Sequence, residues 1–378
     1  MSDPRSGAPR WRHHLRRAGT TGGALIADAA RWDHVEVDAV RLITAGVSLA
    51  LPITAGLLGG DLAAGMVAAL GALLVSTAGH QGTARECLAD VRNTIVAGSA
   101  GVLIGMIAGG PRIWSSVVLI AVAVLVAVAG GIRPSAAKAG VQSTIFMILG
   151  ASLDAGHVPI AQSLGYFALG ACVGGLLTLI VFVVEYHVLH RHPLPEPAPA
   201  RSWSEDLRAW RQRLSEPAGR QYPARLTSCM IVAEVLAHLV RGQHSYWILL
   251  TVVLCVQRDH LQALSRTVQR GLGTLLGVLA GALVLTTIPT WAMVVVIGVI
   301  GAARVYLKFA NYTAYALVMT PMVVVFSGLG HTLSSGLLRE RLVDTAIGCL
   351  ISLVVGYLPW RRPWTATSEP EFAGPSMN

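Results

Sequence analysis

The chain of 378 residues is 53% hydrophobic and 13% charged, with a mean hydropathy of +0.59, which excludes an ordinary soluble globular domain. Its net charge of +9 follows the apolar segments rather than a recognition element, so anionic lipid is the expected counterpart and nucleic acid is not. Five scattered cysteines with no C-x-x-C pair argue against a disulfide framework or a zinc site.

Residues 1–37 form a basic segment carrying Arg5, Arg10, Arg12, Arg16, Arg17 and Arg31. No cleavable signal peptide is expected, because the first apolar run lacks a small-residue cleavage end. Trp11 and Leu15 among Arg and His residues predict a short amphipathic helix. A first six-helix module follows over 38–186, with spans near 40–58, 62–79, 94–110, 114–132, 139–153 and 160–186. Crossing ~30 Å of hydrocarbon takes ~20 helical residues.

Between 187 and 225 the composition changes. His187, His190 and His192 precede Pro193, Pro195, Pro197 and Pro199, a stiff extended linker. Ser202 and Glu205 then have capping-box spacing. Trp203, Leu207, Trp210 and Leu214 make one apolar stripe opposite arginines, so a helix on the cytoplasmic surface is expected. A second module over 226–360 has spans near 226–240, 245–257, 271–287, 291–306, 312–328 and 342–359, and 361–378 reads as a disordered tail.

About twelve transmembrane helices in an all-α polytopic protein, with both termini cytoplasmic, leave only Arg112, Arg241, Arg339 and Arg341 of the 29 Lys and Arg outside. That asymmetry is the rule that orients membrane proteins. The two modules echo each other. Each starts at an Arg (Arg41, Arg225) and has a glycine ladder in its third span (Gly101, Gly105, Gly109; Gly273, Gly277, Gly281). Each also has a Pro/Trp hairpin (Pro111 and Trp114; Pro289 and Trp291) and then a basic loop. Two parallel six-helix repeats, related by a pseudo-twofold along the membrane normal, are expected.

The second module contains Tyr246-Trp247, Leu250-Thr251, Gln257-Arg258-Asp259, Arg266, Arg270, Gly273-Thr274, Gly277, Asn311-Tyr312 and Asp344-Thr345 with Gly348. This string resembles the fusaric-acid-resistance-like (FUSC) family of bacterial inner-membrane proteins, which includes aromatic carboxylic acid exporters. The first module resembles that family's N-terminal module more loosely, through Gly71-Ala72-Leu73 and Arg92. The family's Gln-Pro-Asp is here Gln257-Arg258-Asp259, and the large cytosolic domain of many members is reduced to 187–225. The resemblance implies a multi-pass protein of the bacterial cytoplasmic (inner) membrane that confers resistance by efflux.

Four groups of residues carry chemistry suited to transport. Glu234, with His238 one turn on, lies near the middle of span seven, where a carboxylate costs ~2.5 kcal/mol or more unless paired, protonated or facing a cavity. The pair suits a proton relay, and the plain alternative is a Glu hydrogen-bonded to a neighbouring helix. Arg133, Lys138, Arg304 and Lys308 stand at equivalent cytoplasmic ends, with Arg270 opening the second glycine ladder. They would gather anions at a central mouth, unless they only reflect positive-inside retention. Thr320-Pro321 interrupts span eleven, and Gln142, Ser143 and Thr144 place polar groups in the short span five. Corresponding broken or short helices point to a transporter site, the alternative being a packing kink. Asn311, Tyr312 and Tyr315 beside that break suit an aromatic acid. Asp344, following Arg339, Glu340 and Arg341, reads as an outer ion pair or an exit gate.

Glu185, His187, His190 and His192 look like a metal cluster only superficially. No metallo-, Walker or nucleophile motif occurs, so no enzyme activity, cofactor or metal is expected. The reading is a secondary transporter exporting small organic anions, aromatic carboxylic acids in particular. Membrane potential would drive it, at about 2.3 kcal/mol per charge per 100 mV, as would a proton gradient through Glu234. An anion channel and a non-transporting scaffold are the alternatives. Partners are a small organic anion and the lipid bilayer, with homo-oligomer formation left open.

Overall fold

The computed structural model describes residues 22–35, 37–76, 78, 83–109, 112–153, 159–187, 202–240, 245–287, 289–327 and 335–360. The helix expected around Trp11 and Leu15, the histidines 190 and 192, and the tail 361–378 lie outside the described residues. Every regular element among the described residues is helical. A short α1 (Gly22–Ala29) precedes a first set of six: α2 (Ala39–Leu58), α3 (Leu62–Val75), α4 (Ala84–Ala108), α5 (Arg112–Ala129), α6 (Pro134–Leu153) and α7 (Ile160–His187). The linker helix α8 (Trp203–Ser215) leads into the second set: α9 (Pro217–Val240), α10 (Tyr246–Cys255), α11 (His260–Thr287), α12 (Thr290–Ala310), α13 (Tyr312–Ser327) and α14 (Ser335–Val354). Seven helices are long and apolar enough to cross a membrane, and four more are apolar but shorter.

Several helices start well before the apolar runs predicted them. α4 begins at Ala84 rather than 94, α9 at Pro217 rather than 226, and α11 at His260 rather than 271. An apolar run marks only the part of a helix that meets lipid. Charged turns extend it into water, and at α4 a full capping box (Thr83 and Glu86) fixes the true start. The same extension places the start of α14 at Ser335, which puts Arg341 inside the helix and not in an outer loop.

Packing repeats between the two sets. The glycine ladder of α4 seats against α6, Gly101 on Ser143 and Gly105 on Met147; the ladder of α11 seats against α13, Gly273 on Thr313 and Gly277 on Leu317. α3 packs on α7 as α10 packs on α14, and across the halves α2 packs on α12 as α5 packs on α9. Small residues at these crossings let backbones approach, which is how helices associate in lipid.

The interrupted helices expected at spans five and eleven are instead continuous: α6 runs unbroken, and α13 carries Pro321 inside it. Pro321 lacks an N–H for the Leu317 carbonyl, four residues back. Gly277 faces that oxygen so closely that an added Cβ would sit 2.5 Å away. A backbone Cα–H contact from the glycine thus partly replaces the lost bond. The short helices are the second of each set, α3 with 14 residues and α10 with 10. At 1.5 Å per residue α10 is about 15 Å long, roughly half the hydrocarbon thickness.

Candidate functional site

Around the short α10 lies a polar seam. Residues four apart share a helix face, and three helices present such stripes: Trp247, Thr251 and Cys255 on α10; Arg270 and Thr274 on α11; Arg341, Thr345 and Cys349 on α14. The helices touch pairwise, with Gly348 against Thr251, Cys349 Sγ 3.8 Å from where a Cβ on Gly271 would stand, and Arg341 over the Trp247 ring at 5.0 Å. Arg341 is 0% exposed, and its Nε, Nη1 and Nη2 have no hydrogen-bond partner among the described residues. Arg270 is 3% exposed, and its Nε is likewise without one. The hydroxyls of Thr251, Thr274 and Thr345 join them.

The two guanidiniums are close enough to repel each other electrostatically. Asp344, one turn beyond Arg341, is buried as well, yet Arg341 acts on it through space, without an ion pair. The outer ion pair expected there is not formed, because Arg341 turns into the helix bundle. A buried ion costs several kcal/mol even after relaxation, and attraction to a partner normally offsets that cost. Here two like charges and several donors without a partner converge, and among the described residues no carboxylate is bonded to them. That donor set suits a small anion.

The seam continues toward the start of α13, where the Arg266 guanidinium lies 3.9 Å from the centre of the Tyr312 ring, and Tyr312 stacks on Tyr315 at 5.4 Å and 25°. In the first set the equivalent contact is apolar. Gly71 and Ala68 meet Gly170 and Phe167, and Phe167 packs edge-on against Phe146 at 5.4 Å. The helix contacts of the two sets correspond, but among the described residues the contact between α3 and α7 carries no counterpart of the Arg270 and Arg341 pair.

The other predicted residues are placed elsewhere. Of the predicted basic residues, Lys138 and Arg304 lie close enough to Lys308 for their charges to act on it, as does that of Arg266, while each also has contacts of its own. Arg133 pairs with Asp206 and covers the Trp203 ring at 4.4 Å, fastening α8 to the α5–α6 turn. Trp210 and Arg213 help by donating to the carbonyls of Val128 and Gly131. Lys138 pairs with Asp90 at 2.8 Å. Arg304, buried, donates to Ser76 and the Leu73 carbonyl at the end of the short α3. Lys308 lies 5.7 Å from the Phe309 ring. Each cation finds a nearby local acceptor or ring, which long side chains at helix ends do readily.

Glu234 accepts a hydrogen bond from Ser116 of α5 and lies 3.5 Å from His238 Nδ1. This pair sits where α9 meets α5, between the halves, away from the arginine seam. Asn311 donates to the carbonyls of Ala29 and Arg31 and accepts from the N–H of Ala314, so it both holds α1 and caps α13. Thr320 bonds back to the Ala316 carbonyl. Glu185 receives Arg41 at 2.9 Å, clamping α2 to α7. Burial pushes the carboxyl of Asp38, just before α2, upward, but its contact with the Glu185 carboxyl, the backbone N–H groups of Arg41 and Val40 and the Arg41 charge outweigh it and hold Asp38 below its ordinary range.

Arg341, Trp247, Thr251, Thr274 and Thr345 were not singled out as one site by their order in the chain. The four-residue spacing of each stripe was visible. Which three stripes face one another was not.

Geometry and composition define an all-helical, multi-pass membrane protein with a buried anion-type donor cluster. Residues 228–355, which contain all of that cluster, match the family model described as Fusaric acid resistance protein-like. The chain is 27% identical over 150 residues to Inner membrane protein YccS of Escherichia coli (strain K12), covering 39% of this chain and 20% of that one. It is 30% identical over 151 residues to Uncharacterized protein YhfK of the same organism, covering 40% and 21%. The matches therefore span about a fifth of the length of these curated relatives. No solved structure matches significantly.

Proposed function

We propose that this protein is a secondary transporter of the bacterial inner membrane that exports small organic anions, aromatic carboxylic acids among them. The observation that carries the reading is the pair Arg270 and Arg341, buried with no carboxylate among the described residues bonded to either. Stability alone gives no reason to keep two such charges in a helix bundle, whereas an anion that visits the seam supplies the missing partner.

In this reading the six helices α2 to α7 and the six helices α9 to α14 form two parallel repeats with both termini cytoplasmic. Supporting it are the paired packing of α3 with α7 and α10 with α14, and the shortness of α3 and α10. Short or broken helices at corresponding positions of two repeats mark transporter sites. Trp247, Tyr312 and Tyr315 would offer rings to an aromatic acid while Arg341 and Arg270 take its carboxylate. An inside-negative potential drives the anion outward. Glu234 with His238, at the seam between the halves, would add proton coupling.

Purified protein in proteoliposomes loaded with benzoate tests this. Saturable efflux that rises with an imposed inside-negative potential is expected. Efflux that is linear in concentration to high values would favour a channel, and efflux equal to that of empty liposomes would favour a scaffold.

A further inference from the structure

The mouth of the seam is occupied by the chain itself. α1 and the residues after it, 22–33, dock where α11, α12 and α13 come together. Ser265 donates to the Asp28 carboxylate, Asn311 donates to the carbonyls of Ala29 at 3.2 Å and Arg31 at 2.9 Å, and Thr313 donates to Ala29 at 2.8 Å. The Asp33 N–H completes the set by donating to the Ala310 carbonyl at 2.8 Å. Apolar burial adds little, since Ala29 is covered but Ile26 is 61% exposed. The segment is held by hydrogen bonds that water or another ligand can replace.

The polarity of these bonds is informative. Side chains of the bundle donate, and the segment supplies only oxygen acceptors to them, one of them a carboxylate. Ser265 adjoins Arg266, whose guanidinium lies over Tyr312, and Arg270 follows one turn further along α11. Serine, asparagine and threonine donors around an arginine form the type of surface that receives a carboxylate.

We propose that Ser265, Arg266, Asn311 and Thr313 form an anion-receiving vestibule, and that residues 22–33, with Asp28 as the internal carboxylate, are a self-ligand that keeps it closed until an anion displaces them. The inference rests on the reading of the seam as an anion route and names its regulation.

Two measurements on the full chain test it, with benzoate as the probe and benzyl alcohol as its uncharged counterpart. In nanodiscs, saturating benzoate should speed hydrogen exchange at the Asp33 amide and across 22–33, and benzyl alcohol should not. In proteoliposomes, Asp28→Lys should raise benzoate flux at low concentration, by about tenfold if the segment is docked nine-tenths of the time. Exchange that benzoate leaves unchanged or slows, or flux that Asp28→Lys leaves unchanged or lowers, overturns the self-ligand. Arg341→Met separates the two ideas. If it abolishes flux while Asp28→Lys has no effect, the self-ligand falls and transport stands. If it leaves flux at the wild-type level, the assignment of the anion route to the arginine seam falls.

Discussion

Replacing Arg341 by methionine should make the protein more stable and nearly inactive. Methionine keeps an unbranched apolar stem beside Trp247 but removes a buried guanidinium none of whose three nitrogens has a hydrogen-bond partner among the described residues. Exchanging buried ions for apolar residues of similar volume is neutral or stabilising by about 1–4 kcal/mol. An anion held by two charge-assisted hydrogen bonds from Arg341 would lose about 1.5–3 kcal/mol for each, so flux below saturation should fall at least roughly 100-fold. Asp344 lies in the field of Arg341, so the double variant Arg341→Met/Asp344→Asn removes the residual carboxylate charge and should show the stabilisation more cleanly. Thermal unfolding in detergent and benzoate flux in proteoliposomes give the two readings. A double variant that unfolds several degrees earlier than wild type would show Arg341 to be a structural ion, and the argument from its lack of partners would be wrong.

Further expectations follow from individual contacts. Glu234→Gln should abolish the part of flux that responds to a pH gradient and spare the part driven by potential; an unchanged pH response would remove Glu234 from the proton path. Gly71→Ala should destabilise by about 1–3 kcal/mol or more, because its Cβ would run into the Phe167 carbonyl. Gly165→Ala, with nothing within 4 Å and a position inside α7, should be neutral or stabilise by up to about 1 kcal/mol. Thermal melts of the two compare them directly. Asp206→Asn should loosen α8 from the α5–α6 turn and speed hydrogen exchange over 203–215 while leaving benzoate flux within about twofold, since this partly buried pair docks the linker helix and is no part of the arginine seam.

Much of the fold was legible because a membrane imposes it. Each predicted span overlaps a helix, although α4, α9, α11 and α14 begin earlier than expected, and the capping box at Ser202 and Glu205 starts α8 as its spacing indicates. Errors came where hydrophobicity stopped being the deciding term. Arg341 looked like the edge of an outer loop because an arginine ends an apolar run, and nothing local says that a helix will carry it into the core. Pro321 looked like a break because its lost hydrogen bond is visible in the chain, whereas the glycine that faces the freed carbonyl comes from another helix. The individual contacts of Arg133, Lys138 and Arg304 were hidden for the same reason. Their acceptors, Asp206, Asp90 and Ser76, are distant in sequence. For the seam, each four-residue stripe was written in the chain, but its meaning depended on α10, α11 and α14 meeting.

The most direct test of the central claim is benzoate efflux from proteoliposomes carrying the wild-type chain, Arg270→Gln or Arg341→Met, under an imposed inside-negative potential and no pH gradient. The wild type should show saturable, potential-driven efflux that both substitutions reduce by roughly 100-fold, in line with the loss of charge-assisted bonds. Wild-type efflux that both variants retain in full would contradict the assignment of the anion site to the buried arginine seam.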